Sequence, residues 1–149
     1  MQATYLDQAT QIADEFAEKI PDYNYNQLDE LNTNIDMYYE YLDESDQTTA
    51  LLVKGQLEAI DYFGEDTKTY LKNPNSFIIY SGSVSSPTSI GDNEYTVSVN
   101  IDYGATNSFG GEVEDTAYGF VNYIIDTELC EVTFTDCSNS TLSQYLSRL

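Results

Sequence analysis

The chain has 149 residues, of which 26 are Asp or Glu and only five are Lys or Arg, so its formal net charge at pH 7 is −21. A field of this sign repels other polyanions, so direct binding of nucleic acid or of an anionic membrane surface is not expected. Because 41% of the residues are hydrophobic and 13% are aromatic, we expect a folded protein with a hydrophobic core. The length is that of one ordinary domain.

Two helical patterns are predicted in the first third of the chain. Apolar side chains recur every three or four residues over 4–20, and Pro21 ends this first predicted helix. A second pattern follows Asn26, its predicted N-cap, and continues to about Glu44. Both stripes are amphipathic, so each helix is expected to bury one face.

A third helical pattern covers residues 50–71. It contains Gly55 and Gly64, each of which costs a helix about 1 kcal/mol relative to Ala, and we expect a break near Gly64. The three patterns together define a predicted acidic helical part, residues 1–72.

The apolar period then changes from that of helices to that of strands. Residues 95–103 alternate apolar and polar side chains, which is typical of a strand with one buried face, and residues 83–93 read as a Ser/Pro/Gly-rich loop. The other predicted strands cover residues 76–82, 117–125 and 129–135.

The chain ends with a short amphipathic pattern that Ser140 or Thr141 would cap. Its apolar stripe consists of Leu142, Tyr145, Leu146 and Leu149. The predicted fold class is α+β, with three N-terminal helices packed on a four-stranded antiparallel sheet and a short C-terminal helix. Residues 1–149 form a single domain in this prediction, in which 73–149 is the β-sheet part with its closing helix.

Two cysteines, Cys130 and Cys137, are too far apart to pair along an extended chain. A disulfide requires Cα atoms roughly 4.4–6.8 Å apart, whereas seven extended residues span about 23 Å. We therefore expect free thiols, one of them buried in a strand, unless the chain turns back between them. Two cysteines without any histidine supply neither a zinc site nor an activated nucleophile, so no enzyme is predicted.

One short motif has the spacing of a calcium loop. Asp22, Asn24 and Asn26 match its opening, but Gln27 occupies the position that needs Gly, and Thr33 occupies the position of the bidentate Glu. An EF-hand is therefore excluded and no cofactor is predicted, although weak divalent binding by clustered carboxylates stays open.

The negative charge is concentrated in the N-terminal part. Residues 1–66 hold sixteen acids and two lysines, and no base occurs between Asp22 and Asp46. Solvated surfaces usually mix both signs, because like charges one turn apart destabilise a helix. The predicted partner-binding residues are these acids together with two tyrosines expected to be exposed anchors: Asp29, Asp36, Tyr39, Glu40, Tyr41, Asp43, Glu44, Glu58, Asp61, Glu65 and Asp66.

This distribution favours a non-enzymatic acidic binding protein that mimics nucleic acid and inhibits a basic nucleic-acid-binding protein. DNA presents one charge per roughly 1.7 Å of axis, and carboxylates on several helices can approach such a density. We expect such a charge density in a phage-type anti-defence or anti-CRISPR-like protein. A protein of this kind would act in the cytoplasm of an infected or host bacterial cell. An acidic but functionally neutral surface, or adaptation to high salt, is the alternative.

Two segments within residues 70–111 resemble a known kind of domain. The sequence YLKNPNSF at 70–77 and the sequence YTVSVNIDYGATNSFGG at 95–111 are similar to a small β-rich domain of unassigned role in secreted proteins and lipoproteins of Gram-positive bacteria. The resemblance implies a folded sheet and brings no catalytic residues. It also implies an alternative function, an extracellular or lipid-anchored interaction domain whose signal has been removed.

Overall fold

The computed structural model describes residues 7, 32–37, 39–107 and 109–140. Within these residues the chain forms one long helix, one 3-10 turn and a five-stranded antiparallel sheet, so the fold is mostly β. The prediction of three helices on four strands is therefore wrong. The first predicted helix, apart from residue 7, and the C-terminal helix after residue 140 lie outside the described residues.

The elements follow one another in chain order. They are the 3-10 turn Tyr39–Tyr41, helix α1 (Glu44–Lys68), and strands β1 (Asn73–Val84), β2 (Thr88–Gly91), β3 (Glu94–Thr106), β4 (Glu112–Asp126) and β5 (Glu131–Asn139). No helix in the described part of the chain is long and apolar enough to cross a membrane.

The second predicted helix ends earlier than its apolar pattern indicates. Residues 32–37 are helical, but Tyr39–Tyr41 form a 3-10 turn and Asp43 is extended, with φ −73° and ψ 171°. The Asp43 side chain accepts a hydrogen bond of 2.8 Å from the backbone N–H of Asp46. Because an aspartate in this position satisfies an otherwise unpaired donor, it begins a new helix instead of ending an old one.

Helix α1 passes through Gly64 without the expected break. Its two glycines face the sheet: a Cβ on Gly55 would lie 2.4 Å from Cε2 of Tyr123, and a Cβ on Gly64 would lie 3.0 Å from Cδ1 of Ile79. The glycines that weaken the isolated helix thus allow it to pack closely on the strands.

The strand order in the sheet is β1-β3-β4-β5, and β2 pairs with the same edge of β3 as β1. The four predicted strands are present and longer than predicted, except that residues 129–130 lie in the turn before β5. The predicted loop 83–93 contains the additional strand β2 and a tight turn in which Asn93 has a φ of 57°. Asparagine tolerates this left-handed conformation better than most residues.

The sheet has one covered face and one open face. Helix α1 packs on the inner face, where alternate side chains of β3 and β4 are buried. The core includes Leu57, Ile60, Phe63, Val97, Val99, Ile101, Val121 and Tyr123. Tyr123 also donates a hydrogen bond of 2.9 Å from its hydroxyl to the carbonyl of Leu52. On the opposite, outer face, Tyr118 is 60% exposed and Phe120 is 44% exposed.

The cysteines are free, as predicted. Cys130 lies in the turn before β5 with a φ of 54°, and Cys137 lies near the other end of that strand. An extended strand therefore separates the thiols and prevents a disulfide. Cys137 lies in β5 and packs partly buried against the core, so it is less buried than expected for the strand cysteine.

Candidate functional site

The outward side of α1 carries a stripe of carboxylates. Glu58, Asp61 and Glu65 are spaced by three and four residues, which places them on one side of the helix, about 10 Å long from first to last. The sheet packs on the other side of α1, so this stripe faces away from the strands. Glu65 is exposed, whereas Glu58 and Asp61 are half-buried. The structure therefore brings together three of the predicted site residues.

A second acidic group surrounds the first turn of α1. Glu40, Asp43 and Glu44 are all exposed there. Negative side chains stabilise the positive end of the helix dipole, and Asp43 is the N-cap, so part of this charge serves the fold. Tyr41 is 66% exposed beside it, and a hydrogen bond to Glu40 raises the pKa of its hydroxyl.

Asp36 is paired with a cation that the sequence spacing did not reveal. Its carboxylate lies 2.6 Å from Nζ of Lys54, and Asn32 donates a longer hydrogen bond of 3.4 Å to Glu58. Burial of Lys54 would lower its pKa, but the hydrogen bond and charge of Asp36, with the charge of Glu58, outweigh this and raise the pKa. Lys54 therefore neutralises part of the negative charge of Asp36 and Glu58 within the predicted partner-binding surface.

Asp61 and Glu65 are two carboxylates one helical turn apart. Partial burial and the charge of Glu65 raise the pKa of Asp61, and Lys68 opposes this shift only in part. Lys68 forms an exposed ion pair of 3.0 Å with Glu65, which contributes little in water. A cationic side chain of a partner would relieve the repulsion between these two carboxylates. Asp61 and Glu65 are therefore the part of the stripe where we expect a bound cation to be most favourable.

Two other predicted site residues have structural roles. Tyr39 is only 6% exposed and donates a 2.6 Å hydrogen bond to the carbonyl of Thr127, so the prediction that it is an exposed anchor is wrong. Asp66 accepts a 3.0 Å hydrogen bond from Asn139 and thereby ties α1 to β5. The remaining predicted residue, Asp29, lies outside the described residues.

The carboxylate of Asp66 also affects the thiol of Cys137. Burial first, then the charges of Asp66 and Asp136 and a hydrogen bond to Asp66, raise the pKa of Cys137 to about 12. For Cys130, burial and the charge of Asp36 raise the pKa, and Lys54 opposes them. Both thiols are thus protonated at neutral pH and unsuited to nucleophilic chemistry.

The outer face of the sheet is a second surface, which was not predicted from the sequence. Tyr118 and Phe120 occupy alternate positions of β4, on the side opposite to the buried Ala117 and Val121. The apolar residues on both sides of this strand were a usable signal, because a one-sided strand would alternate apolar and polar residues.

No protein-family model, curated protein or solved structure matches the chain. The resemblance of residues 70–111 to a secreted β-rich domain stays a prediction, although most of that range does lie in β1, β2 and β3. In the described part of the chain, no group of three His, Cys, Asp or Glu residues is arranged to hold a metal ion. Two surfaces therefore remain as candidate binding sites: the carboxylates of α1 and the outer face of the sheet.

Proposed function

We propose that this protein is a non-enzymatic binding protein whose acidic helical surface occupies a basic, nucleic-acid-binding groove of another protein. It would act as an inhibitor of the phage anti-defence type. The observation that supports this proposal most directly is the outward stripe of Glu58, Asp61 and Glu65 on the side of α1 away from the sheet.

The charge density of this surface indicates which kind of groove it would fit. Helix α1, residues 44–68, holds six carboxylates and two lysines, a net of four negative charges. Its 25 residues rise by about 37 Å, which gives roughly one net charge per 9 Å. Duplex DNA carries one per about 1.7 Å and a single strand one per about 3.4 Å. A groove that normally holds a single strand is therefore the better match.

The best variant for a test reverses three acids of the helical part that neither cap α1 nor pair with the half-buried Lys54. Asp36 is ion-paired and Asp43 caps α1, so their reversal would confuse binding with stability. Glu40 and Glu65 are exposed, Asp61 is half-buried, and the exposed Glu65–Lys68 ion pair contributes little to stability. The combined change of Glu40, Asp61 and Glu65 to Lys shifts the net charge by six. A matched control changes three exposed acids of the sheet part to Lys: Asp92, Glu112 and Glu114.

The assay is capture of partners from a bacterial lysate on the immobilised protein. Captured protein should be released by a single-stranded oligonucleotide and by about 1 M salt, at which the Debye length falls to about 3 Å. The helix triple variant should capture at least roughly tenfold less than the control triple, in line with one lost charge pair or more. A partner that stays bound in the presence of nucleic acid, or equal loss in both triples, would contradict the proposal.

An extracellular or lipid-anchored interaction domain is the second candidate. The exposed rings of Tyr118 and Phe120 on the open sheet face favour it, because exposed aromatic side chains often serve recognition. The genomic reading frame tests this candidate: a signal peptide or lipobox encoded upstream of residue 1 would support it, and an in-frame stop codon there would count against it.

A further inference from the structure

The outer face of the sheet carries two parallel rows of side chains that cross the strands. In the first row Ser83, Asn100 and Tyr118 are register partners on β1, β3 and β4. In the second row Ser98 and Phe120 pair across β3 and β4. Adjacent strands lie about 4.8 Å apart and the two rows about 7 Å apart, so the side chains form a regular grid.

The second row continues to β5, and the first row is held in place at the edge of the sheet. Ser138 pairs with Phe120. The backbone N–H of Tyr118 donates a 3.0 Å hydrogen bond to Oγ of Ser140, and the N–H of Ser140 donates one of 3.0 Å to the carbonyl of Tyr118. The backbone beneath the exposed tyrosine is thus fixed before any ligand binds.

The polar groups of this grid are available. Within the described part of the chain, the side chains of Ser83, Asn100 and Ser138 make no hydrogen bond with the protein. Each keeps donors and acceptors that a ligand can use. Tyr118 and Phe120 stand among them as exposed rings, so the surface alternates hydrogen-bonding groups with apolar faces.

The surface is also free of charge. The rows line a shallow depression of about 680 Å³, and none of its lining residues is acidic or basic, although the chain carries a net charge of −21. An anionic ligand would be repelled by the surrounding field, and a cationic ligand would find stronger partners among the carboxylates of α1. The complementary ligand is neutral, rich in hydroxyl groups and apolar on one face.

We propose that this outer-face grid, the side chains of Ser83, Ser98, Asn100, Tyr118, Phe120 and Ser138, binds a neutral oligosaccharide. Sugar hydroxyls would exchange hydrogen bonds with the serine and asparagine side chains. The C–H faces of the sugar rings would pack on Tyr118 and Phe120, whose ring faces carry partial negative charge. Each row crosses three of the four strands β1, β3, β4 and β5, a width of about 10 Å, so a chain of several sugars can contact both rows.

The test uses four neutral hexasaccharides as probes, namely cellohexaose, xylohexaose, maltohexaose and chitohexaose, titrated into the ¹⁵N-labelled protein. A hexamer of galacturonic acid is the charge control, and a decaproline peptide represents a protein ligand. At least one neutral sugar should shift the amide signals of Asn100 and Tyr118 in a saturable manner. The galacturonate hexamer and the peptide should not.

Substitution then distinguishes this face from the rest of the surface. Tyr118→Ala and Phe120→Ala should each weaken sugar binding roughly two- to tenfold, the range expected for one aromatic contact. Asn100→Ala should also weaken it, whereas Tyr41→Ala removes a ring of similar exposure beside α1 and should change nothing. These exposed substitutions leave the core intact, which thermal unfolding verifies.

Three results would overturn the proposal: no binding of any of the four sugars, binding of the decaproline peptide alone, or an equal loss with Tyr41→Ala. Because Tyr118→Ala leaves the carboxylates of α1 unchanged, capture of a basic partner should persist in that variant. The oligosaccharide site and the proposed inhibitor function can thus fail independently.

Discussion

Replacement of Gly55 by Ala should destabilise the protein, although the same change stabilises an ordinary helix. Gly55 lies in the middle of α1 against the ring of Tyr123, which is fully buried. A methyl group there would lie 2.4 Å from Cε2 and 2.5 Å from Cζ of that ring. Real Cβ atoms do not approach other carbon atoms so closely, so either the helix or the tyrosine must move.

The magnitude follows from three contributions. Helix propensity favours Ala over Gly by about 1 kcal/mol. Overpacking in a closely packed core costs about 1–3 kcal/mol. A displaced Tyr123 also weakens its 2.9 Å hydrogen bond to the Leu52 carbonyl, which contributes about 1 kcal/mol. The variant should therefore lose about 1–3 kcal/mol of unfolding free energy, which for a chain of this length lowers Tm by roughly 5 °C.

Urea denaturation followed by circular dichroism measures this loss. Thr49→Ala, at an exposed position of the same helix, is the control for helix propensity; it also removes the 3.2 Å hydrogen bond that the Thr49 hydroxyl donates to the Ser45 carbonyl. A double-mutant cycle locates the cause, because Gly55→Ala should cost nothing further in a Tyr123→Leu background, where the clashing ring is absent. If Gly55→Ala raises the stability of the parent protein, the close helix-sheet contact is not as described.

Three other predictions concern single side chains. Asp61→Asn should raise the free energy of unfolding at pH 7 by about 0.3 kcal/mol, because the pKa of Asp61 is raised and its charge therefore opposes folding. The gain should fall as the pH drops through the raised pKa of Asp61 and should vanish below about pH 3, where the carboxyl is protonated in both states; pH-dependent urea denaturation checks this. Iodoacetamide should alkylate Cys137 in the folded protein far more slowly at pH 8 than in urea, because its pKa is about 12; mass spectrometry of the Cys130→Ser variant measures the rate. Tyr39→Phe should cost about 1 kcal/mol through loss of the hydrogen bond to Thr127, and an unchanged urea midpoint would contradict that contact.

The strands could be predicted because their signal is local. In β3, Val97, Val99 and Ile101 alternate with polar residues, and the structure buries all three. A period of two over several residues has few explanations other than a strand with one covered face. The outer ends of the strands were missed because many of their residues are Asn, Ser, Gly, Asp and Glu, which are less common in strands than β-branched and aromatic residues.

The helices were predicted less well because two different signals compete over the same residues. The apolar spacing continues past Tyr39, whereas Asp43 favours the start of a helix. The structure follows the second signal: Asp43 caps α1 by accepting a hydrogen bond from the backbone N–H of Asp46, a donor that has no partner within the new helix. For Gly55 and Gly64, propensity predicted a weak helix, but the reason for the glycines lies in the distant strands.

The candidate site could be predicted as a set of acids but not as a geometry. Lys54 neutralises Asp36 from 18 positions along the chain, and Thr127 binds the hydroxyl of Tyr39 from 88 positions away. Helical spacing reports only neighbours three or four residues apart. Pairing across such distances depends on tertiary contacts, so the sequence could not separate structural carboxylates from those left for a partner.

The two proposed surfaces lie on opposite sides of one helix-sheet unit. The inner face of the sheet holds α1, so the stripe of Glu58, Asp61 and Glu65 and the rings of Tyr118 and Phe120 point in opposite directions. A basic protein on α1 would therefore not block a sugar on the sheet. Salt separates the two interactions, because screening weakens the contact of charged groups and leaves a neutral contact nearly unchanged. Titration of a neutral hexasaccharide at about 0.05 M and 1 M salt should give similar affinities, while capture of a basic partner should be lost at the higher value.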